Sequence, residues 1–264
     1  MKARFRRATD RFGKINVQMS SRRTSDLSSG ARLTRVQGMT IFVGSDTRPD
    51  DVEPWIRQFC ERVEPRWYVP VDREWAVDWF NTYGLKDFIP DFELALDVIG
   101  DRRSDEWRTL SDEKVANVVI QAGHLYGLIH ARWICQNRGL NQMQKKYERA
   151  EFGRCPRVHC ENQALLPMGT TNRPKRHCAK LFCPKCCDIY VPQSEVKVDG
   201  AHFGPAFPHI FLSEFPSYAN ARKEFKPFHR KAFGFKISRN CLNRFLPHER
   251  NDYQDENPAA LIQP

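Results

Sequence analysis

The feature that most constrains this chain is a set of four cysteines arranged in two pairs. Cys155 and Cys160 enclose four residues, Cys183 and Cys186 enclose two, and twenty-two residues separate the pairs. Structural zinc is held tetrahedrally by four thiolate or imidazole ligands, and two tight turns that each carry two cysteines can supply all four. Pro184 fixes φ within the second turn. The spacing therefore predicts a structural zinc ribbon rather than a catalytic zinc site, because no ligand position is left open for water.

The remaining cysteines bear on the compartment and on alternatives to zinc. The chain has nine cysteines, an odd number, and its beginning lacks the apolar segment of a signal peptide. A reducing compartment is expected, in which four thiolates bind metal and the others stay free. The free set comprises Cys60, Cys135, Cys178, Cys187 and Cys241. The alternative is that the paired cysteines are unrelated buried or disulfide-bonded residues. No apolar run is long enough to span a bilayer, so no membrane partner is expected.

Positive charge is concentrated at the two ends of the chain. Residues 1–50 hold eleven Lys or Arg against four acids, and residues 220–250 hold nine against two, so each end carries a net charge of +7. The whole chain carries +10, because the residues outside these two ends are slightly acidic. Such ends can contact nucleic acid, acidic proteins or anionic lipid. Residues 1–50 lack apolar periodicity and are predicted to be a disordered basic extension. Their Arg- and Ser-rich composition also leaves organellar targeting open beside the cytoplasm and nucleus.

Hydrophobic periodicity predicts an α+β protein whose N-terminal part, residues 53–150, is mostly helical. Apolar residues recur at helical spacing from Val115 to Trp133, which predicts one long amphipathic helix. Gly139 is expected to separate that helix from another one. A second stripe, assigned to the core and expected to end at Gly84, comprises Trp75, Trp79, Phe80 and Tyr83.

The rest of the chain is predicted to form a small β-rich module and a C-terminal segment. Residues 151–195 form the zinc ribbon, whose core is too small to fold without metal. Residues 199–240 carry two short structured stretches, and residues 241–264 are expected to be a flexible tail. The sequence contains no phosphate-binding loop, dinucleotide-binding motif, nucleophile elbow or H-E-x-x-H motif. No enzymatic activity is therefore expected.

Several stretches of the sequence resemble the regulatory (beta) subunits of casein kinase II. They are LYGLIHAR at Leu125–Arg132, CPRVHCENQ at Cys155–Gln163, CPKC at Cys183–Cys186, DGAHFGPAFPHIF at Asp199–Phe211 and FGFKI at Phe233–Ile237. The resemblance covers about residues 53–240. The first fifty residues and the last two dozen lie outside it.

The resemblance implies a regulatory subunit with no chemistry of its own. It implies one structural zinc per chain on Cys155, Cys160, Cys183 and Cys186, and a homodimer that forms through the ribbon. It implies that a casein kinase II catalytic (alpha) subunit docks on each chain, so that the activity, stability and choice of protein substrates of the kinase are modulated. It carries the dimer contact onto Pro156 and Val158. It carries kinase docking onto Phe233, Phe235, Lys236 and Ile237, with both aromatic rings expected on one face of a strand.

Three departures from the family pattern accompany this resemblance. The acidic loop of the family is replaced by Asp101–Leu110, in which three arginines offset three acids, so binding of polyamines is in doubt. A basic extension replaces the short acidic N-terminus, although Thr47 and Thr109 each keep an acid three residues downstream and are candidate phosphorylation sites. Phe233 stands where the family commonly has tyrosine.

Two other functions remain open from the sequence. One is a zinc-ribbon protein that binds nucleic acid or associates with transcription through its basic ends. The FGFKI stretch and the large helical part argue against this function, because a free-standing nucleic-acid-binding ribbon would not need them. The other is a relative that still dimerises but no longer binds the kinase.

Overall fold

Helices and short β-sheets both contribute to the fold, as the α+β prediction requires. The computed structural model of the chain describes residues 20–22, 32–36, 39–43, 53–63, 67–102, 105–193, 197–224 and 231–236. The chain divides into two compact units, Met1–Phe225 and Lys226–Pro264. The predicted tail at residues 241–264 lies outside the described residues. None of the described helices combines the length and apolarity that crossing a bilayer would demand.

Among the described residues, the helical part of the first unit contains six α-helices. They are α1 (Trp55–Gln58), α2 (Arg73–Val77), α3 (Trp79–Thr82), α4 (Phe92–Ile99), α5 (Asp112–Trp133) and α6 (Asn137–Glu148). A π-helical turn, Phe59–Val63, continues α1, and 3-10 turns occur at Lys86–Phe88 and Asp105–Thr109.

The long amphipathic helix predicted from the sequence is α5. The Ser111 side chain accepts a hydrogen bond of 3.2 Å from the Lys114 amide, and Asp112 and Glu113 place negative charge at the positive end of the helix dipole. The apolar stripe of α5 is buried and packs against α4. Burying one such Val, Leu or Ile side chain contributes about 1.5–3 kcal/mol, so this contact supplies much of the stability of the unit.

Gly139 does not separate two helices, and that prediction is wrong. The break falls earlier, at residues 134–136, and Gly139 lies in the first turn of α6. A Cβ atom at Gly139 would lie 2.2 Å from the Trp133 carbonyl oxygen. The glycine is therefore required because the start of α6 passes directly over the end of α5.

The aromatic stripe expected in the core is largely exposed, so this prediction is also wrong. The stripe does not form one helix, because Asp78 adopts an extended conformation and ends α2. Its carboxylate then accepts a hydrogen bond of 2.8 Å from the Phe80 amide and caps α3. Only Trp75 is partly buried, against Trp133. The break at Asp78 rotates the other three aromatic residues away from the core.

Part of the predicted disordered extension is folded. The strands β1 (Ser20–Arg22), β2 (Arg32–Val36) and β3 (Met39–Val43) form an antiparallel sheet in that order. Met39 and Ile41 alternate along β3 and are both buried. The prediction of disorder is therefore wrong for these strands, because period-two alternation in a polar segment buries two apolar side chains. The other residues of 1–50 lie outside the described ranges.

The ribbon and the segment after it complete the first unit. The strands β4 (Leu166–Met168), β5 (Lys180–Phe182) and β6 (Ile189–Tyr190) form an antiparallel sheet in chain order. A 3-10 turn at Gly200–His202 leads to α7 (Phe207–Glu214) and α8 (Pro216–Ala219). A 3-10 turn follows at Asn220–Glu224.

The second unit is described only as a hairpin. Its strands are β7 (Lys231–Ala232) and β8 (Phe235–Lys236), paired antiparallel with Ala232 opposite Phe235.

Two buried histidines link α5 to the 3-10 turn at Gly200–His202. His130 Nε2 accepts a hydrogen bond of 3.3 Å from the Val69 amide, so Nδ1 carries the proton and donates to the His202 carbonyl at 3.0 Å. His202 Nδ1 lies 2.6 Å from the Tyr68 hydroxyl. Burial lowers the pKa of both histidines to about 3, and the ring of His124, 6.3 Å from that of His202, adds to the shift of His202.

We expect the stability of the chain to fall as the pH drops below about 6.5. Both histidines stay neutral in the folded state but become protonated in the unfolded state, so the unfolded chain binds more protons. Between about pH 6.5 and pH 3, each histidine lowers the free energy of unfolding by about 1.4 kcal/mol per pH unit. Urea unfolding at several pH values measures this slope.

His202→Asn should reduce the slope by about 1.4 kcal/mol per pH unit, because an amide can still hydrogen-bond Tyr68 but does not titrate. His209→Asn, at an exposed position on α7, is the matched control. Acid release of any bound metal affects all variants, so the difference between their slopes is the quantity to compare. Equal slopes for the two variants and the unaltered chain would contradict the assignment.

Candidate metal centre

The four predicted ligands come together in the ribbon. The sulfur atoms of Cys155, Cys160, Cys183 and Cys186 all lie within 4.8 Å of one another, and all four residues are buried. Cys155 Sγ lies 3.9 Å from Cys186 Sγ, and Cys160 Sγ lies 3.9 Å from Cys183 Sγ. Each short distance joins one cysteine pair to the other, so the cluster closes the two turns onto a common centre.

These distances fit a tetrahedral metal site and exclude disulfides. A zinc ion about 2.3 Å from each of four sulfurs places the sulfurs about 3.8 Å apart. A disulfide would bring two sulfurs to about 2.05 Å. Among the described residues, the His, Cys, Asp and Glu side chains that lie close enough together to hold a metal ion are these four cysteines. The donor set consists of thiols alone, which is consistent with structural zinc.

Backbone geometry around each cysteine pair shapes the cluster. In the first pair, the Cys160 amide donates to the Arg157 carbonyl at 2.9 Å, and Glu161 adopts a left-handed conformation that turns the chain back. In the second pair, the amides of Lys185 and Cys186 donate hydrogen bonds to the Cys183 sulfur. Amides directed at a sulfur stabilise its thiolate form, as metal ligation requires.

Tyr190 is a functional residue of the cluster that the sequence reasoning missed. Its hydroxyl lies 3.4 Å from Cys155 Sγ and 3.2 Å from Cys186 Sγ, so it bridges the two pairs. Burial, followed by these contacts with the sulfurs, raises the pKa of the Tyr190 hydroxyl well above its usual range. The neutral hydroxyl is therefore a donor to thiolates. The only signal for this role in the sequence is an aromatic residue four positions after Cys186, the last of the four clustered cysteines.

The pKa values of three of the clustered thiols are shifted by burial and by their neighbours in the cluster. Burial raises the pKa of Cys160 to about 12, and contacts with Cys155 and Cys186 add to the shift. Burial also raises the pKa of Cys183. For Cys186 burial acts in the same direction, but hydrogen bonds from Tyr190 and the Asp188 backbone outweigh it, and the pKa is lowered. Four buried thiolates repel one another, so a bound divalent cation would offset their charge and displace their protons.

Ion pairs reinforce the link between the two turns. Lys185 Nζ lies 2.7 Å from Glu161 Oε2, and the Arg157 guanidinium pairs with the Asp188 carboxylate. Each pair joins a residue of the first turn to one of the second. The Arg157 pair also brings the exposed face of the first turn beside the start of β6.

That face of the ribbon is apolar and exposed. Val158 is 87% exposed, and Pro156 is exposed beside it. Ile189 at the start of β6 and Val191 just after that strand are exposed as well. Pro156 and Val158 were expected from the family resemblance, whereas Ile189 and Val191 were not. An exposed apolar surface on a rigid module is typical of a protein–protein contact.

Three of the four residues predicted for kinase docking, namely Phe233, Phe235 and Lys236, lie on the hairpin of the second unit. Phe233 and Gly234 are the two central turn residues, and both have positive φ, at 50° and 87°. The prediction that strand alternation places both rings on one face is wrong, because Phe233 lies in the turn and only Phe235 lies in a strand. Phe233 is fully exposed and Phe235 is 79% exposed. The Lys236 side chain and Ile237 lie outside the described residues.

Of the two candidate phosphorylation sites, Thr109 lies within the described residues. Thr109 is exposed, and its hydroxyl donates a hydrogen bond of 2.8 Å to the Glu106 carbonyl. Thr47 lies outside the described residues.

We expect the purified chain to carry one zinc ion and to lose it when Cys183→Ser removes a ligand. Tyr190→Phe should keep the ion but weaken its binding about tenfold, because the ring stays and only the donor to the two sulfurs is lost. Competition with a chromophoric chelator measures both effects. Equal zinc affinity of the Phe variant and the unaltered chain would show that Tyr190 does not contribute to metal binding. Purified protein without zinc would contradict the assignment of a metal centre.

Comparison with known proteins places these features in a family. Residues 54–236 match the profile of a family described as the casein kinase II regulatory subunit. A putative casein kinase II subunit beta-4 of Arabidopsis thaliana is 38% identical over 232 residues, covering 85% of this chain and 80% of that protein. Casein kinase II subunit beta of Schizosaccharomyces pombe is 36% identical over 195 residues, covering 73% of this chain and 83% of that protein.

A casein kinase II subunit beta' of Drosophila melanogaster is 37% identical over 189 residues, covering 71% of this chain and 85% of that protein. The matched region contains the helical part, all four clustered cysteines and the hairpin as far as Lys236. The resemblance stated from the sequence is thereby confirmed, and the chain belongs to the family of casein kinase II regulatory (beta) subunits.

Proposed function

We propose that this chain homodimerises through a zinc-bound ribbon and docks casein kinase II catalytic (alpha) subunits on its C-terminal hairpin. The family consists of regulatory subunits, so the chain is non-catalytic, in agreement with its lack of nucleotide-binding and catalytic motifs. The observation that carries the proposal is the exposure of apolar side chains on the ribbon and on the hairpin.

The ribbon supports dimerisation because its apolar face is held rigidly without being buried. The thiol cluster and the Arg157–Asp188 pair fix the backbone on either side of Val158. A face that is already ordered loses little conformational entropy on association. A second copy of the same face would bury Pro156 and Val158 together with Ile189 and Val191, and the symmetric contact would close as a dimer.

The hairpin supports docking because it presents two adjacent rings to solvent. Aromatic side chains that fill a pocket of a partner commonly contribute about 2 kcal/mol or more to an interface. Phe233 at the turn and Phe235 in β8 are separated only by Gly234, so one pocket or two neighbouring pockets can receive both. Lys236 and Ile237 would extend the contact along the strand.

The remaining proposals follow from this role. Docking would modulate the activity, the stability and the choice of protein substrates of the kinase. Phosphorylation at Thr109 or Thr47 would make the chain a phosphoprotein, and Thr109 is accessible for it. We place the protein in the cytoplasm and nucleus, where its clustered thiols would remain reduced and free to bind zinc.

We expect Val158→Asp to convert the dimer into a monomer, because each dimer would bury two carboxylates without partners. Val158→Thr, which keeps the shape of the side chain, should remain dimeric at micromolar concentration and serves as the matched control. Light scattering gives the mass, and zinc content reports the integrity of the ribbon. A dimeric Asp variant with its zinc intact would move the interface elsewhere.

We expect Phe233→Asn and Phe235→Ala to weaken binding of the catalytic subunit at least about tenfold each. Asparagine tolerates positive φ, and Asn-Gly favours the two-residue turn, so Phe233→Asn removes the ring while preserving the hairpin. Lys231→Ala, at an exposed position of β7, is the control. Surface plasmon resonance measures affinity, and mass measures the dimer. Unchanged affinity in both Phe variants would contradict docking on the hairpin.

A further inference from the structure

A third exposed apolar surface belongs to neither the ribbon nor the hairpin. It lies around α3 and is called here the aromatic platform, formed by Trp79, Phe80, Tyr83 and Phe88. The first three are 74%, 73% and 74% exposed, and Phe88 is exposed to a lesser extent. Four large exposed aromatic residues within ten positions are far more than scattered surface hydrophobics require.

Polar contacts to backbone carbonyls hold the segment that carries the aromatic platform in place. On α5, the Arg132 guanidinium donates to the carbonyls of Asn81 at 2.6 Å and Tyr83 at 2.9 Å. The Asn81 side chain donates to the Trp75 carbonyl at 3.0 Å. The rings of Trp79 and Phe80 meet edge to face, with centroids 6.0 Å apart. The backbone that carries the rings is thus anchored to the core, and a partner would meet an ordered surface.

The segment of sequence that carries the aromatic platform is acidic, although the whole chain is basic. Residues 72–93 hold six acids and two bases, a net charge of −4 in a chain of +10. Asp72, Asp91 and Glu93 are neutralised by Arg138, Lys114 and Lys86.

Three exposed carboxylates of this segment remain without an ion pair among the described residues, namely Glu74, Asp78 and Asp87. Asp78 immediately precedes Trp79, and Asp87 immediately precedes Phe88. Along the chain, the aromatic residues are therefore interspersed with carboxylates that have no cationic partner among the described residues.

We propose that the aromatic platform docks an arginine-rich segment of a partner protein. Guanidinium groups stack on Trp and Tyr faces and pair with carboxylates, and both partners are present here within a few residues. Apolar side chains between the arginines would cover Phe80 and Phe88. The aromatic platform shares no residue with Asp101–Leu110, and the proposed contact depends on neither dimerisation nor kinase docking.

The test uses the full-length chain and a fluorescein-labelled peptide of three Arg-Leu-Arg-Ser repeats, with binding followed by fluorescence anisotropy. The matched probe replaces each arginine with citrulline, which keeps the shape and removes the charge. Because the chain carries a net +10, its overall charge repels the arginine peptide, and binding reports a local surface. We expect the arginine peptide to bind at least about tenfold more tightly than the citrulline peptide.

Two pairs of substitutions separate the two parts of the contact. Trp79→Ala with Tyr83→Ala should weaken binding of the arginine peptide about tenfold. Asp78→Asn with Asp87→Asn should weaken it about fivefold at low salt and have little effect at about 0.5 M salt, because screening removes the charge contribution. The side-chain amide introduced by Asp78→Asn can still cap α3, so the second pair changes charge and leaves the helix intact.

Some outcomes would overturn the proposal. Equal binding of the citrulline peptide would make the surface a purely apolar contact. Retained affinity in either double variant would place the peptide elsewhere, and a smaller mass of the Trp79→Ala/Tyr83→Ala chain would assign the surface to contacts between copies. Zinc content, dimer mass and catalytic-subunit affinity should stay unchanged in both double variants, which keeps this result distinguishable from a failure of the regulatory function.

Discussion

The close approach of four buried cysteine sulfurs, which could together hold one cation, is the constraint on which the ribbon depends. Its three strands contain only two or three residues each, and a sheet that small is not stable in water by itself. Protonated, the cluster is four buried thiols with little mutual attraction. Ligated, it joins two turns separated by twenty-two residues, and zinc binding in small modules is worth about 10–16 kcal/mol.

Order in the ribbon is transmitted to the helices through a few polar contacts. Gln163, after the first cysteine pair, donates a hydrogen bond of 2.7 Å to the Tyr147 hydroxyl of α6. At the other end of the ribbon, the Ala179 amide donates to the Val198 carbonyl and guides the chain back toward α5. His202 then rests on Gly127, where a Cβ atom would lie 2.3 Å from its ring. The cysteine cluster and the histidine pair therefore lie at opposite ends of one connection between the ribbon and the helices.

Sequence reasoning predicted the features that rest on a strong repeating signal. The α5 stripe and the paired cysteines are of this kind, since helical burial and tetrahedral ligation both impose a fixed spacing. It failed where one residue changes the direction of the chain. Asp78 breaks the aromatic stripe and exposes three rings, and Phe233 adopts a turn conformation that usually favours Gly or Asn. Tyr190 was missed because a hydroxyl that donates to metal ligands follows no spacing rule of its own.

Exposed apolar side chains persist on this fold because other contacts hold the backbone that carries them. Val158 lies beside the Arg157–Asp188 pair, and Trp79 lies on a helix capped by Asp78. If burial of these side chains were needed to order their own segments, exposure would leave the segments unfolded. Since polar contacts and the cysteine cluster hold these segments instead, their apolar area stays available for partners, and about 25 cal/mol per Å² of it can be gained on association. The arrangement suits a member of a family of regulatory subunits, because each surface could be occupied without refolding the chain.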